Sequence, residues 1–386
     1  MEYRMKRTDG GVQPSLLGFG ALRFPVNSHG QVDEAQVSEM IDRAMKGGVT
    51  YYDTAWPYLN GESEPILGRI LSKYPRESYC LSTKLPCYEL NSKEAAAERF
   101  HMQLQRLQTT YFDYYLLHML NKDTWKKAVS LGMVELMEEY KEKGLIRHFG
   151  FSFHDSYEVF EEILNSRDWD FCLIQLNYLD TDFQAGLKGY QLAEQKEIPV
   201  QIMEPLKGGL LARLSPEVAE PLLACDPNAS MASWGMRWVA SLPNVGVVLS
   251  GMGAMEQVVD NLNTFQTIKP LSEQERMAVE ETAKRLRERL KNGCTGCRYC
   301  MPCPAGVDIQ SSFQVWNNMA IDQDKALTKR NWGAIEPENR PDQCYGCGRC
   351  ERICPQHLPI RSHLKLVTEQ VEAFLNEKNK VEQFIS

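Results

Sequence analysis

The sequence contains no uninterrupted apolar run long enough to cross a lipid bilayer, so no transmembrane helix is expected. Its first seven residues, MEYRMKR, are not followed by the apolar core that a signal peptide needs. The chain also has no excess of positive charge, because 43 lysines and arginines stand against 51 aspartates and glutamates and give a net charge of −8. We therefore expect a cytoplasmic protein that binds neither nucleic acid nor membranes.

A further absence concerns nucleotide binding. No G-x-G-x-x-G motif follows a strand-like segment, so a Rossmann unit is not expected. The composition is otherwise that of a globular protein, with 43% hydrophobic and 24% charged residues. The 386 residues leave room for a barrel of roughly 250 to 300 residues and a small second domain.

Strand-like and helix-like segments alternate eight times along the chain. The first helix illustrates the helical pattern, because Asp33 is a good N-cap, Gly47 marks the end, and apolar residues between them recur at helical spacing. The predicted strands are residues 16–22, 49–52, 79–83, 114–117, 146–152, 171–177, 200–203 and 245–249. This alternation predicts an α/β fold, a closed parallel (β/α)₈ TIM barrel.

The barrel pattern ends near Pro270. Ser272 and Glu275 form a capping box that opens a charged helix. We predict a barrel over residues 1–268, a connecting helix over 269–291, and a small C-terminal domain over 292–386 that includes a C-terminal helix.

Titratable side chains stand at the ends of three successive predicted strands. Asp53 follows the second strand, with Tyr58 five residues later in the loop, Lys84 follows the third strand, and His118 follows the fourth. One polar residue at a loop start is common. The loops at the C-terminal ends of barrel strands form a single mouth, so four such residues in succession predict one site.

These four residue types suit proton transfer to a carbonyl oxygen. A tyrosine hydroxyl is a weak acid with a pKa of about 10, and a nearby ammonium favours its phenolate. A carboxylate holds the ammonium in place, and an imidazole orients or polarises a substrate oxygen. We predict Tyr58 as the proton donor, tuned by Lys84, with Asp53 fixing Lys84 and His118 orienting a substrate whose carbon receives a hydride.

Eight of the twelve cysteines fall in two short runs near the C-terminus. The first run has the spacing C-x2-C-x2-C-x2-C-P, and the second has the bacterial ferredoxin spacing C-x2-C-x2-C-x3-C-P. The runs consist of Cys294, Cys297, Cys300, Cys303 and of Cys344, Cys347, Cys350, Cys354. We predict a helical ferredoxin-like domain with two 4Fe–4S clusters, in which Cys303 serves the second cluster and Cys354 the first. The alternative is zinc, which prefers separated C-x-x-C pairs. Cys80, Cys87, Cys172 and Cys225 are predicted to be buried thiols.

The four strand-end residues carry a family resemblance. Asp53-Thr54-Ala55, Tyr58, Thr83-Lys84 and Leu116-Leu117-His118 resemble the catalytic tetrad of the aldo-keto reductases. The two cysteine runs narrow the resemblance to the branch with a C-terminal ferredoxin-like iron–sulfur domain. The resemblance covers nearly the whole chain.

The resemblance implies that NADP or NAD binds without a Rossmann unit. Gln175 would bond the nicotinamide carboxamide, the loop that starts at Glu204 would bind the pyrophosphate, and the segment from Ser250 would bind the adenosine end. The cofactor residues that it implies are Gly20, Asp53, Ser152, Gln175, Pro205, Leu206, Gly208, Gly209, Ser250, Gly251, Met252, Glu256, Gln257 and Asn261.

The sequence departs from the family pattern at three places. Phe153 replaces a common asparagine, and Met203 replaces an aromatic residue that stacks on the nicotinamide. No basic residue lies between Ser250 and Asn261, where the family often has an arginine for the 2′-phosphate of NADPH. The choice between NADPH and NADH is therefore left open.

The sequence is consistent with three functions. The first is an NAD(P)H-dependent oxidoreductase that interconverts a small carbonyl and an alcohol. The second is a redox sensor or electron carrier, in which the barrel binds a dinucleotide or a flavin and the clusters exchange electrons with a partner such as ferredoxin or a flavoprotein. In the third, the clusters only stabilise the fold of the tail. Because the substrate loops vary between such barrels, the substrate is not predicted.

Overall fold

The computed structural model of the protein describes residues 1–5, 10–27 and 30–377. The chain divides into two compact units. The first comprises Met1–Leu206 and Ala232–Ser272, and the second comprises Lys207–Met231 and Glu273–Ser386, of which residues up to 377 are described. Residues 207–231, which the sequence analysis assigned to the barrel, thus group with the C-terminal unit.

The first unit is a closed barrel of parallel strands whose order around the barrel follows the order of the chain. The strands among the described residues are β1 (Leu17–Gly20), β2 (Tyr51–Asp53), β3 (Cys80–Leu85), β4 (Phe112–Leu120), β5 (Ile146–Phe153), β6 (Phe171–Gln175), β7 (Val200–Met203) and β8 (Val245–Ser250). Pairing of β1 with β8 closes the barrel, with Leu17 opposite Val248. The predicted (β/α)₈ barrel is confirmed.

Helices connect the strands and build the second unit. Among the described residues the α-helices are α1 (Glu34–Lys46), α2 (Ser63–Leu71), α3 (Lys93–Arg106), α4 (Lys122–Ser130), α5 (Met133–Glu142), α6 (Tyr157–Asn165), α7 (Gly186–Gln195), α8 (Pro216–Cys225), α9 (Met231–Ala240), α10 (Met255–Gln266), α11 (Glu273–Arg289), α12 (Ile309–Asp322), α13 (Lys325–Gly333), α14 (Arg349–Ile353) and α15 (Ile360–Asn376). Short 3₁₀ helices lie at Tyr58–Gly61, Arg76–Ser78, Lys207–Ala212, Pro337–Asn339 and Pro341–Gln343. Within the described part of the chain, no helix is both long and apolar enough to span a membrane.

Helix α1 forms as its sequence predicts. The side chain of Asp33 accepts a hydrogen bond from the backbone N–H of Gln36, and Gly47 is the C-cap. The buried residues of α1 are Val37, Met40, Ile41 and Ala44, which form one apolar stripe against the sheet. The sequence analysis did not identify α4, α8, α13 and α14.

Side chains inside the barrel follow the two-residue period of its strands. The lower part of the interior is filled by a cluster that includes Tyr51, Tyr114, Phe171 and Leu249, with Met5 from the N-terminal segment. The hydroxyl of Tyr51 donates to the side-chain oxygen of Gln201 at 2.9 Å. Because successive strand residues alternate between faces, the polar residues above this floor also point inward.

The second unit is helical and has its own apolar core. Phe313 and Trp316 of α12 pack with Trp332 of α13 and with Leu364 and Val367 of α15. Helix α8 lies along α11, where Arg289 forms an ion pair with Glu217 at 2.7 Å. This packing explains why residues 207–231 belong to the C-terminal unit. Of the scattered cysteines, Cys80, Cys87 and Cys172 are buried as predicted, whereas Cys225 is only half-buried, because it ends α8 at the surface of this unit.

Candidate active site

Three of the predicted site residues occupy inward positions at the tops of adjacent strands. Asp53 is two residues beyond the interior residue Tyr51, Lys84 is four beyond Cys80, and His118 is two beyond Leu116. Asp53 closes β2, whereas Lys84 and His118 lie inside β3 and β4, which run further than the sequence indicated. Because side chains alternate between the two faces of a strand, these three side chains all point into the barrel, at the end where the strands finish.

Lys84 and Asp53 form a buried ion pair. The Lys84 ammonium donates to an oxygen of Asp53 at 2.6 Å and to the carbonyl of Thr54 at 2.7 Å. The hydroxyl of Ser82 donates to the other oxygen of Asp53 at 3.0 Å, because Ser82 is opposite Asp53 in the sheet register. Lys84 is 1% exposed and Asp53 3% exposed. The pair is thus dry and held by several hydrogen bonds.

Burial acts on the pKa values of both partners. Desolvation raises the pKa of Asp53 and lowers the pKa of Lys84, because each charged form loses its hydration. The attraction between the two charges opposes both shifts. The ion pair with Asp53 thus opposes the loss of charge from Lys84 that burial favours.

Tyr58 brings a phenol ring to this lysine. The Lys84 nitrogen lies 4.9 Å from the centroid of the Tyr58 ring. Tyr58 begins a short 3₁₀ helix in which Leu59 and Asn60 have positive φ angles of 54° and 56°. A leucine in this region is strained, and such strain is concentrated at functional sites. The loop after β2 therefore holds Tyr58 in a defined position.

His118 faces Tyr58 from the fourth strand. Their ring centroids are 6.0 Å apart with the planes 75° apart. The pairing of β4 with β5 shifts register between Leu117 and Leu120, and Met119 has a φ angle of 56°. A bulge of this kind re-aims a side chain at a strand end. Asp53, Tyr58, Lys84 and His118 thus come together as the sequence predicts.

The His118 imidazole is neutral near pH 7. Burial, followed by the charges of Lys84 and His154, lowers the pKa of His118 well below its usual value. A neutral imidazole can donate one hydrogen bond and accept another. His118 is therefore suited to orienting a substrate oxygen rather than to delivering the proton.

A second buried carboxylate, which the sequence analysis missed, lies behind Lys84. Glu64 of α2 accepts hydrogen bonds from Thr83 at 2.7 Å, from Gln103 at 2.6 Å and from Arg106 at 2.9 Å. Gln103 also donates to the carbonyl of Lys84 at 3.1 Å, and Arg106 bonds the carbonyl of Gly61. This network ties the end of β3 to the helix that carries Tyr58. An acidic residue in a first helical turn is common, so the sequence alone gave no signal for it.

Several predicted cofactor residues gather at the end of β8. The amide of Asn261 donates to the hydroxyl of Ser250 at 2.9 Å, and Gln257 accepts from the backbone N–H of Gly253 at 2.8 Å. Gly20 packs against this segment, because a Cβ on Gly20 would lie 3.4 Å from the Ser250 carbonyl oxygen. Met252 is buried, whereas Glu256 and Gly251 are exposed.

A basic residue reaches this end of β8 from another loop. A Cβ on Gly251 would lie 3.1 Å from the Cδ of Arg23, and one on Gly253 would lie 3.0 Å from the Arg23 carbonyl. Arg23 follows β1 in the chain and therefore lies outside the segment from Ser250 to Asn261, in which the sequence has no basic residue. The structure therefore supplies a positive charge beside the predicted adenosine segment.

Two other predicted cofactor residues have protein partners. The Gln175 amide donates to Asp180 at 2.9 Å, and the Ser152 hydroxyl accepts from the backbone N–H of Met119 at 2.8 Å. Ser152 thus supports the bulge beside His118. The carbonyl of Pro205 and the side chain of Leu206 pack on Gly235, which leaves no room for a side chain there.

The glycines of the predicted pyrophosphate loop belong to the second unit. Gly208 and Gly209 have φ angles of 66° and 95°, a region that favours glycine. A Cβ on Gly208 would lie 2.0 Å from the carbonyl oxygen of Thr295, in the first cysteine run. In the described structure Gly208 is therefore required by packing within the second unit.

Cysteines of the two runs come together in the second unit. Cys294, Cys297 and Cys300 of the first run line one cavity together with Cys354 of the second. Burial and then the thiols of Cys294, Cys354 and Cys350 raise the pKa of Cys300 to about 12. Desolvation and then the thiols of Cys347, Cys303 and Cys344 raise the pKa of Tyr345, which places these three cysteines around that tyrosine. Four thiols on one cavity provide the donor set that a 4Fe–4S cluster needs.

Comparison with known proteins identifies the family. The model of the aldo/keto reductase family matches residues 16–284, and that of the 4Fe-4S dicluster domain matches residues 293–358. The protein belongs to the aldo/keto reductase family and is an oxidoreductase with a C-terminal 4Fe–4S domain, rather than a zinc domain. The NADH-specific methylglyoxal reductase of Escherichia coli is 25% identical over 277 residues, which are 61% of this chain and 84% of that protein. The aldo-keto reductase YhdN of Bacillus subtilis is 31% identical over 162 residues, 39% of this chain and 47% of that protein.

Solved structures share the barrel. The holo form of the aldo-keto reductase AKR11C1 from Bacillus halodurans aligns with a TM-score of 0.60 and 23% identity, over 73% of this chain and 96% of that one. An aldo-keto reductase from Klebsiella pneumoniae, in complex with NADPH, aligns with a TM-score of 0.59 and 21% identity, over 72% of this chain and 95% of that one. At this identity the likeness establishes the fold.

The buried neutral His118 predicts a pH dependence of stability. The pKa of His118 is lowered in the folded protein. Below about pH 6.5, His118 therefore binds a proton in the unfolded chain but stays neutral in the folded chain. Its contribution to stability is therefore present above pH 6.5 and is lost as the pH falls, by up to about 1.4 kcal/mol per pH unit. We expect His118→Asn to reduce the loss of unfolding free energy between pH 7 and pH 5.5, measured by urea titration. His101→Asn, on the exposed face of α3, should leave that loss unchanged. Equal losses in the wild type and His118→Asn would refute the assignment.

Proposed function

We propose that this protein interconverts a small carbonyl compound and an alcohol, with Tyr58 as the general acid and base. The single observation that carries the proposal is the position of the Lys84 ammonium, 2.6 Å from Asp53 and 4.9 Å from the centroid of the Tyr58 ring. A buried positive charge at this distance stabilises the phenolate that proton donation leaves behind. This arrangement favours proton transfer at the phenolic oxygen of Tyr58.

When bound, a nicotinamide cofactor would supply or accept the hydride, and side chains of this protein would hold and transfer the proton. Tyr58 donates its proton to the substrate oxygen during reduction and takes it back during oxidation. Asp53 keeps Lys84 in place, and the Glu64 network holds the strand that carries Lys84. His118, being neutral, donates a hydrogen bond to the substrate oxygen and fixes its position between the two rings.

The cofactor is proposed to be NADP(H) or NAD(H). Among the relatives, the Klebsiella pneumoniae structure contains NADPH, and the Escherichia coli enzyme is named as NADH-specific. Ser250, Gly251, Gln257 and Asn261 would hold the adenosine end, and the positive charge of Arg23 beside Gly251 favours a phosphate there. Gln175, together with Ser152, Pro205 and Leu206, would contact the remainder, as the family resemblance implies.

The two groups of cysteines are proposed to hold two 4Fe–4S clusters with crossed ligands. One cluster would be bound by Cys294, Cys297, Cys300 and Cys354, which line one cavity. The other would be bound by Cys303, Cys344, Cys347 and Cys350. The crossed arrangement is supported by the contribution of Cys354 to the first cavity and of Cys303 to the surroundings of Tyr345.

The test of the proposed chemistry is Tyr58→Phe, which removes the acidic hydroxyl and keeps the ring. We expect kcat to fall by at least about 100-fold, because general acid catalysis typically contributes that much. Reduction of methylglyoxal and of 4-nitrobenzaldehyde would be followed through NADPH and NADH absorbance. Tyr157→Phe serves as the matched control, since its hydroxyl donates to Glu161 on α6. A Tyr58→Phe enzyme within a few-fold of the wild type would remove Tyr58 from this role.

The crossed ligand sets predict which cysteine variants lose the same cluster. Cys354→Ala and Cys294→Ala should each lose about four iron atoms and the same electron paramagnetic resonance signal, because they share a cluster. Cys303→Ala and Cys344→Ala should lose the other signal. Cys225→Ala, which changes a thiol outside both runs, should retain all the iron. Loss of the same signal from Cys303→Ala and Cys294→Ala would show that the ligand sets are not crossed.

A second candidate function, electron exchange with a protein partner, is favoured by the exposure of the second cysteine group. Cys347 is exposed, and the Tyr345 ring beside it is 67% exposed. A cluster at such a surface is accessible to ferredoxin or a flavoprotein. We expect a reduced bacterial-type ferredoxin to bleach the cluster absorbance rapidly in anaerobic stopped-flow mixing. Absence of bleaching would eliminate this candidate, while the carbonyl chemistry would be judged separately by the Tyr58 variant.

A further inference from the structure

A buried lysine of the second unit lies beside the first cysteine run. Lys207 begins the 3₁₀ helix Lys207–Ala212 and is 4% exposed. Its φ angle of 46° is in the left-handed region, as are those of Gly208 and Gly209. Three successive residues in this region form a tight turn that a lysine rarely adopts. The turn therefore fixes where the Lys207 side chain starts.

The turn contacts the backbone of the cysteine run directly. A Cβ on Gly208 would lie 2.0 Å from the oxygen, 2.6 Å from the carbonyl carbon and 2.9 Å from the Cα of Thr295. Thr295 stands between Cys294 and Cys297 and lines the cavity with them. Position 208 consequently accepts only glycine, and Lys207 is held next to the first cluster-binding segment.

The charged end of Lys207 also points to this segment. Its Nζ lies 3.8 Å from the position that a Cβ would occupy on Gly293, the residue before Cys294. Burying an ammonium is costly unless an anion compensates it. A 4Fe–4S cluster with four thiolate ligands is an anion in both of its common oxidation states, and reduction adds one more negative charge.

We propose that Lys207 is a buried cation that raises the reduction potential of the cluster bound by Cys294, Cys297, Cys300 and Cys354. A positive charge stabilises the reduced cluster more than the oxidised cluster, because the reduced cluster carries the larger negative charge. Net charge and solvent exposure are among the main determinants of such potentials. Arg298 lines the same cavity and adds a second positive charge. Lys207 thus makes this cluster easier to reduce than it would be without the positive charge.

The experiment uses the full-length, anaerobically purified protein with its clusters in place. Lys207→Met removes the charge and keeps the length of the side chain, and Lys207→Arg keeps the charge. Lys329→Met is the matched control, because Lys329 is an exposed lysine of α13 in the same unit. Iron content is measured first, and both cluster potentials are then determined by redox titration with electron paramagnetic resonance detection.

We expect Lys207→Met to reduce the ratio of reduced to oxidised cluster about tenfold at a fixed potential, for one cluster. This change corresponds to a midpoint lowered by about 59 mV for a one-electron couple. Lys207→Arg and Lys329→Met should keep both potentials, and the second cluster should keep its potential in all variants. A Lys207→Met protein with full iron content and unchanged potentials overturns the proposal.

A variant that loses iron is also informative. Lys207→Gln provides a second neutral replacement that can form hydrogen bonds. Loss of the first cluster from both neutral variants, with retention in Lys207→Arg, would support a requirement for positive charge. Loss from Lys207→Arg as well would mean that the position is only structural, and it would overturn the proposal. Absence of iron from the wild type would instead refute the ligand sets proposed above.

Discussion

The buried ion pair between Lys84 and Asp53 is the contact on which the candidate active site depends. Removing two such charges from water costs several kcal/mol per ion, and apolar residues of similar volume are often at least as stabilising. The structure offsets this cost with hydrogen bonds from Ser82 to Asp53 and from Lys84 to the Thr54 carbonyl. A buried ion pair at a position where apolar residues would often be as stabilising is consistent with a role in chemistry. The Lys84 nitrogen lies 4.9 Å from the centroid of the Tyr58 ring, in an interior where screening of its charge by water is weak.

The register of the paired strands β2 and β3 brings Asp53 and Lys84 into contact. Inward positions repeat every second residue, so Tyr51 and Cys80 below the site and Asp53 and Lys84 within it occupy the same face of their strands. A shift of one residue in either strand would turn the charged side chains outward. The strand pairing that places Asp53 opposite Ser82 therefore determines the active site as much as the residues themselves. The register shift beyond Leu117 then sets the direction of the next side chain.

The sequence predicted the barrel, the helical second domain and the four residues that meet at the strand ends, because each depends on local periodicity. It did not predict the Glu64 network, since Glu64, Gln103 and Arg106 lie on two helices whose contact is tertiary. Arg23 was missed for the same reason, because it reaches the end of β8 from the loop after β1. Residues 207–231 lie within the stretch that the aldo/keto reductase family model matches, and their grouping with the second unit reflects the packing of α8 against α11, a tertiary contact that the sequence pattern does not show. Strand ends at Thr83 and Leu117 were placed too early because polar inward residues look like loop starts.

Among the described residues, the buried lysines are Lys84 and Lys207, one in each unit. Each is placed by a constrained backbone, a register-fixed strand for Lys84 and a left-handed turn for Lys207. Lys84 lies beside the carboxylate of Asp53, and the Nζ of Lys207 lies beside Gly293, the residue before Cys294. Burying a lysine costs desolvation free energy, and such lysines are found where their positive charge stabilises a neighbouring negative charge. By this argument the proposed roles of the two lysines follow one principle, in which Lys84 would stabilise a phenolate and Lys207 would stabilise a reduced cluster.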